Sequence, residues 1–310
     1  MFFFVRQAIT PLIFFKKVLQ SRASKGARPR GHRTFLLFFG RSFLRPYAKG
    51  EDYVMKKLVS LLLVLALMLT CASVYAETET CVCGSEHHPI DVNGVTLLYS
   101  VAGEGKPVVL VHGNGGSHQV FATEIKQLVD AGYQVYALDS RGQGANEPLD
   151  EHHYADMAED VYQFITTLGL DHPAYYGWSD GGIIGLMLEL AHPNTVSVMA
   201  ISGTNLNPEG ADPDLMSSLA DANAEDPQPL VTLMLTEPDI DPADLASIEI
   251  PVLVTAGSND VILPEHTQLI ADSLPNATLT IVEGADHSSY IQDSEVMGNL
   301  LLEFLKANEY

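Results

Sequence analysis

The sequence predicts an α/β fold: a mostly parallel sheet with helices on both faces and a small helical cap. Three observations lead there. From Pro89 to the C-terminus, apolar β-branched runs alternate with segments of helical periodicity. Several of those runs are apolar throughout, as strands covered on both faces must be. One long interval, between Gly203 and Glu249, breaks the rhythm with Asp, Pro and only short helical pieces.

Taken in order, "IDVNGVTLLYSVAG" reads as two short strands around Asn93-Gly94, a hairpin signal. "PVVLVHG" and "YQVYALDS" read as buried strands. In "YADMAEDVYQFITTLGL", Met157, Val161, Phe164, Ile165 and Leu168 recur at helical spacing, with Asp156 as the expected N-cap and Gly169 past the end. "PAYYGW" is a strand, and "DGGIIGLMLELAH" a helix apolar on most sides that stops before Pro193. "VSVMAISG" and "PVLVTAGS" are strands, "EHTQLIADSL" a helix, "ATLTIVEG" a strand and "EVMGNLLLEFLKA" a closing helix. Repeated strand–helix units after a hairpin favour a parallel sheet. The interval at about residues 204–249 is too long for a simple connection and reads as a cap over the sheet's C-terminal edge; an acidic insertion without function is the alternative.

The chain has 310 residues and a net charge of −22, unevenly spread. After Ala76 only Lys106, Lys126, Arg141 and Lys306 stand against 37 acidic residues, a net −33. The basic end is therefore expected to lie outside the fold. Residues 1–54 read as an upstream extension, with Met55 the initiator. In 55–76, Lys56 and Lys57 precede a short apolar run and then small residues around Ala76, the pattern of a secretory signal peptide. That makes the mature protein secreted, with no membrane span once the signal is removed. An uncleaved anchor, or a lipid on Cys71, is the alternative. Residues 77–88 read as a loose mature N-terminus, and 89–310 as the folded domain. Cys81 and Cys83 are too close to bridge each other well, and with His87 and His88 they match no standard zinc spacing, so no metal is expected. The acid excess and the lack of a basic patch argue against nucleic acid as a partner.

The chemistry centres on "GWSDG". Ser179 lies between Gly177 and Gly181, after a strand and before a helix. A Gly-x-Ser-x-Gly turn in that place lifts a serine hydroxyl above the sheet. Such a hydroxyl needs a base, and the base a carboxylate to orient it. Asp260 follows "PVLVTAGS" and His287 follows "ATLTIVEG", both on loops at strand C-terminal ends. Asp286 is the alternative acid, although as the neighbour of His287 it should point elsewhere. An oxyanion would need backbone N–H donors. These are expected from Asp180 and from Asn114 in "HGNGGS", a loop lacking the Gly-Lys-Ser/Thr of a phosphate loop. Trp178 could wall the acyl pocket or pack against the cap.

"HGNGGS", "LDSRGQG", "GWSDGG", "GSNDVI" and "GADHSS", in this order, resemble the α/β-hydrolase superfamily, over about Pro89 to the C-terminus. The resemblance implies an eight-stranded, mostly parallel sheet with strand two antiparallel, and no cofactor. It implies a structural role for Asp139 and Arg141. A serine at the elbow argues against the branches that carry aspartate there. The implied activity is a serine hydrolase acting on an ester or related carbonyl substrate, a small molecule that is neutral or cationic given the charge. A perhydrolase, a lactonase or a C–C bond hydrolase would share the triad; a non-catalytic ligand receptor is the remaining rival.

Overall fold

The computed structural model describes residues 87–310. The upstream extension, the signal segment, Cys71, Cys81 and Cys83 lie outside the described residues. An eight-stranded sheet runs in the order β1-β2-β4-β3-β5-β6-β7-β8. β1 (His87–Val92) and β2 (Val95–Ala102) form the antiparallel hairpin, and β2 is antiparallel to β4 (Tyr133–Leu138). β3 (Lys106–Val111), β5 (Ala174–Trp178), β6 (Val198–Ser202), β7 (Val252–Gly257) and β8 (Ala277–Val282) complete a parallel array with β4.

Alternation along each strand divides the core. Val109, Val111, Tyr175, Met199, Ile201 and Val254 face one layer; Val108, Leu110, Tyr176, Val198, Ala200 and Leu253 face the other. The first layer is covered by α2 (Tyr154–Leu168), α3 (Asp180–Ala191) and α6 (Pro264–Ser273). The second is covered by α1 (Ala122–Asp130) and α7 (Val296–Ala307). Between β3 and β5 the strand order reverses, which opens a crevice at their C-terminal ends, the usual place for a ligand in such sheets.

Several details differ from the sequence reading. β1 begins at His87, so the last two residues of the expected loose N-terminus join the sheet, opposite Ser100 and Tyr99. No sequence signal was assigned to α1, although Phe121, Ile125 and Leu128 line its buried side; the helix is short and has no side-chain cap. α2 starts after His153 rather than Asp156. Its first N–H, on Tyr154, is taken by Glu237 Oε2 at 3.1 Å, a partner 83 residues away. Asp156 lies instead in the first turn, where a carboxylate complements the helix dipole. Gly169 closes the helix at φ 65°, as its position suggested.

The interval after β6 contains α4 (Pro213–Glu225), capped by Asp212 through Leu215 N–H, and α5 (Pro229–Thr236). Each helix opens on proline, whose missing N–H costs nothing there. α4 buries no residue, so it stands over the molecule rather than in it. The flanks behave differently: Leu206, Ile240, Leu245 and Ile248 belong to the main core. No helix of the described residues is long and apolar enough to cross a membrane.

Candidate active site

Ser179 sits between β5 and α3 at φ 55° and ψ −116°, a conformation unfavourable for any residue with a Cβ. The strain costs ~1–3 kcal/mol. It is offset by α3, whose Ile183, Ile184, Leu186 and Leu188 are fully buried, each contributing ~1.5–3 kcal/mol. The turn closes only because Gly177 and Gly181 have no side chains. A Cβ on Gly177 would strike the Gly181 carbonyl, and one on Gly181 the Val111 carbonyl of β3. Ser179 N–H donates to Ser202 O of β6 at 2.7 Å, fixing the elbow to the neighbouring strand.

His287 and Asp260 meet. His287 Nδ1 donates to Asp260 Oδ1 at 2.7 Å, and the carboxylate is 1% exposed. The carboxylate also accepts from Ile262 N–H at 3.0 Å and Gly257 N–H at 3.2 Å. The two loops are locked together by Asn259 N–H to Ala285 O, 2.8 Å. Asp286 turns away: its Oδ1 accepts from Ser288 and Ser289 N–H at 2.9 and 2.8 Å, which hold its carboxyl below the usual range. It is not the partner of His287.

The pair lies at the Ser179 edge. Trp178 Nε1 donates to His287 O at 3.0 Å, tying the residue before the serine to the histidine backbone. Trp178 packs in the layer under α1 and α7, with its ring 5.6 Å from that of His287. Gly203, the residue after Ser202, lies under the imidazole: a Cβ there would be 2.7 Å from His287 Cε1. Among the described residues no hydrogen bond joins Ser179 Oγ to the His287 ring, and Nε2 has no partner. Both groups are thus free to engage a third molecule.

The loop after β3 approaches from the other side; a Cβ on Gly113 would come within 3.0 Å of the Ser179 Cβ. His112 supports it, donating from Nδ1 to Gly113 O at 2.7 Å and accepting at Nε2 from Ser140 N–H at 3.0 Å. That arrangement requires the neutral ring, and burial pushes its pKa down. Gln143 Oε1 accepts from Gly115 N–H at 2.7 Å. Among the described residues, the backbone N–H groups of Asn114 and Asp180 have no acceptor. Two orphan donors flanking one hydroxyl are what an incoming oxyanion requires.

The side chains of Asn114 and Asp180 form a feature that the sequence reading missed. Asn114 Nδ2 donates to Asp180 Oδ2 at 2.9 Å and to Leu230 O of α5 at 3.2 Å. Burial raises the Asp180 carboxyl to about 6, against the opposing pull of the Asn114 hydrogen bond and the nearby His287. Gly203 and Leu230 carried no motif; only Gly203's place at a strand end could have drawn attention to it. Asp139 and Arg141 are tied into the scaffold, Asp139 to His118 and Arg141 to Asp160 and Asp156.

Comparison with known proteins follows the same line. A family model described as alpha/beta hydrolase fold matches residues 106–235. The solved esterase EaEST from Exiguobacterium antarcticum superposes with a TM-score of 0.64 at 20% identity, covering 70% of this chain and 98% of its own. The chain has the α/β-hydrolase fold. Among curated proteins it is similar to the putative carbamate hydrolase RutD of Caulobacter sp. (strain K31), 29% identical over 248 residues, covering 66% of this chain and 92% of that one. It is also similar to the serine hydrolase BPHL of Homo sapiens, 25% identical, covering 70% and 85%.

Proposed function

We propose that this α/β hydrolase cleaves an ester or related carbonyl substrate through an acyl-enzyme on Ser179. The observation that carries the reading is the His287–Asp260 pair standing at the edge where the strained elbow presents Ser179. His287 Nε2 takes the hydroxyl proton as Oγ bonds to the carbonyl carbon. Asp260 stabilises the imidazolium that results. The carbonyl oxygen gains charge against the N–H groups of Asn114 and Asp180. Collapse breaks the bond to the leaving group, which receives the proton from His287. A water molecule, deprotonated in turn by His287, releases the acid and restores Ser179.

Charge supports a neutral or cationic substrate over an anionic one. The chain after Ala76 carries −33, and Asp180 places a buried carboxyl beside the serine with no salt-bridge partner among the described residues. The leader-like segment at 55–76 supports export. A series of p-nitrophenyl esters tests the reading. Hydrolysis by wild type and its loss in Ser179→Ala is the expected result, with kcat/KM at low salt higher for a neutral ester than for its anionic isostere. A folded protein inert toward esters, peracid formation, lactones and C–C substrates alike would favour the receptor instead.

A further inference from the structure

In the mechanism proposed above, Asn114 and Asp180 each offer a backbone N–H to the oxygen of the substrate carbonyl. Their side chains are also bonded to each other. Asn114 lies between Gly113 and Gly115, the latter at φ 65°. A peptide flanked by glycines turns easily, and a donor that can turn away has to be ordered again in each transition state. Its neighbours in the loop are held by other side chains: Gly113 O by His112 Nδ1, and Gly115 N–H by Gln143 Oε1. Among the described residues Asn114 itself is held only by its own amide. Both hydrogens of that amide are used, one on Asp180 Oδ2 at 2.9 Å and one on Leu230 O at 3.2 Å.

The Asp180 carboxyl gathers a second tie. The residue is 3% exposed, so its oxygens depend on donors from the protein. Burial pushes the carboxyl up, and hydrogen bonds from Asn114 and from the Tyr154 hydroxyl pull against it. Tyr154 is 1% exposed and opens α2. Its N–H donates to Glu237 Oε2 at 3.1 Å, while His153 Nδ1 lies 2.6 Å from Glu237 Oε1. Glu237 follows the last turn of α5, the helix whose first turn carries Leu230. A carboxylate buried merely for packing would be satisfied by any donors. Here both donors belong to residues that grip α5, one at each end.

We propose that Asn114 and Tyr154 are positioning residues that, through Asp180, clamp the two oxyanion donors together and fasten them to α5, so that the donors are in place only while α5 is seated. The inference rests on the hydrolase reading and gives the cap a part in the chemical step. The clamp acts on the transition state, where the carbonyl oxygen carries far more charge than in the bound ester. Its loss therefore lowers kcat and leaves KM little changed.

The test compares variants on a neutral p-nitrophenyl ester and on phenylboronic acid, which forms a tetrahedral adduct with a serine hydroxyl. Asn114→Ala keeps its backbone N–H, so it should lower kcat by ~10–100-fold, short of the ~10²–10³ that follows deletion of an oxyanion donor. Boronate affinity should fall by a similar factor, with KM within about threefold of wild type. Hydrogen exchange of the α5 amides should quicken, because one of its two anchors is gone. Tyr154→Phe keeps the N–H to Glu237 and loses only the hydroxyl; it should lower kcat by ~3–10-fold with the same sparing of KM, and it decides the matter if Asn114→Ala does not fold. Asp180→Asn can accept from Asn114 through its amide oxygen and donate to the Tyr154 oxygen, so its kcat should exceed that of Asp180→Ala at least about tenfold. Equal losses in those two variants would make charge rather than bonding the contribution of Asp180 and overturn the clamp. So would a folded Asn114→Ala with kcat within about twofold of wild type, with KM raised as much as kcat falls, or with α5 exchange unchanged. A wild type that neither hydrolyses esters nor binds the boronate removes the hydrolase reading and the clamp with it; an active wild type with an equally active Asn114→Ala removes the clamp alone.

Discussion

Replacing Asp260 by Asn probes the pair at its weakest point. In the native site Oδ1 accepts two hydrogen bonds, from His287 Nδ1–H and Ile262 N–H, and Oδ2 accepts one from Gly257 N–H. All three partners are donors, so an amide has no satisfactory orientation. With its NH2 toward Gly257, two donors confront each other in a buried place. With its NH2 toward His287, the ring must shift its proton to Nε2, the atom that has to accept from Ser179. Leaving one buried donor unpaired costs about 1–3 kcal/mol of stability. The wrong tautomer should lower kcat by ~10⁴, with KM little changed. The assay is steady-state hydrolysis of a neutral p-nitrophenyl ester, with urea unfolding to check that the variant is folded. Asp286→Asn serves as the control and should keep kcat within about twofold, since its carboxylate is occupied by Ser288 and Ser289. The reasoning fails if Asp260→Asn retains more than about a tenth of wild-type kcat, or if the control loses as much.

Two further outcomes are expected. Gly203→Ala would set a methyl 2.7 Å from His287 Cε1 at a backbone φ of 57°, so it should displace the imidazole and lower kcat/KM by ~10² or more; activity within twofold of wild type contradicts the placement. Glu124, fully buried with both carboxyl oxygens unpartnered among the described residues, is pushed by burial from 4.5 to about 8. The native state thus keeps a proton that the unfolded chain releases, so this group's contribution is fully present below pH ~4.5 and is lost as pH rises toward ~8, by up to ~5 kcal/mol. Glu124→Gln should flatten that decline in urea titrations at pH 5, 7 and 9, and a slope unchanged from wild type would rule it out.

Much of this architecture was legible because its causes are local. The strands announced themselves as unbroken apolar runs, and the elbow as two glycines flanking Ser179. The meeting of Asp260 with His287 was legible because a parallel sheet sends every strand's C-terminal end to one edge. What stayed hidden depends on contacts distant in sequence. The start of α2 is set by Glu237 of the cap, so the nearby Asp156 misled by its type alone. α1 was overlooked because it is short and carries Glu124 on its buried side, which blurs the apolar stripe. The extent of the cap was overdrawn because Leu206, Leu245 and Ile248 sit in polar, proline-rich company yet pack in the core. Asn114's hold on Asp180 and Leu230 follows from three separate loops and left no pattern along the chain.

The most direct measurement is to treat the folded protein with a fluorophosphonate and locate the adduct by peptide mass spectrometry. A single modification on Ser179, absent from Ser179→Ala and formed far more slowly in Asp260→Asn, is the predicted result. No adduct on the folded wild-type protein, or an adduct on another residue, would contradict the assignment of Ser179 as the nucleophile.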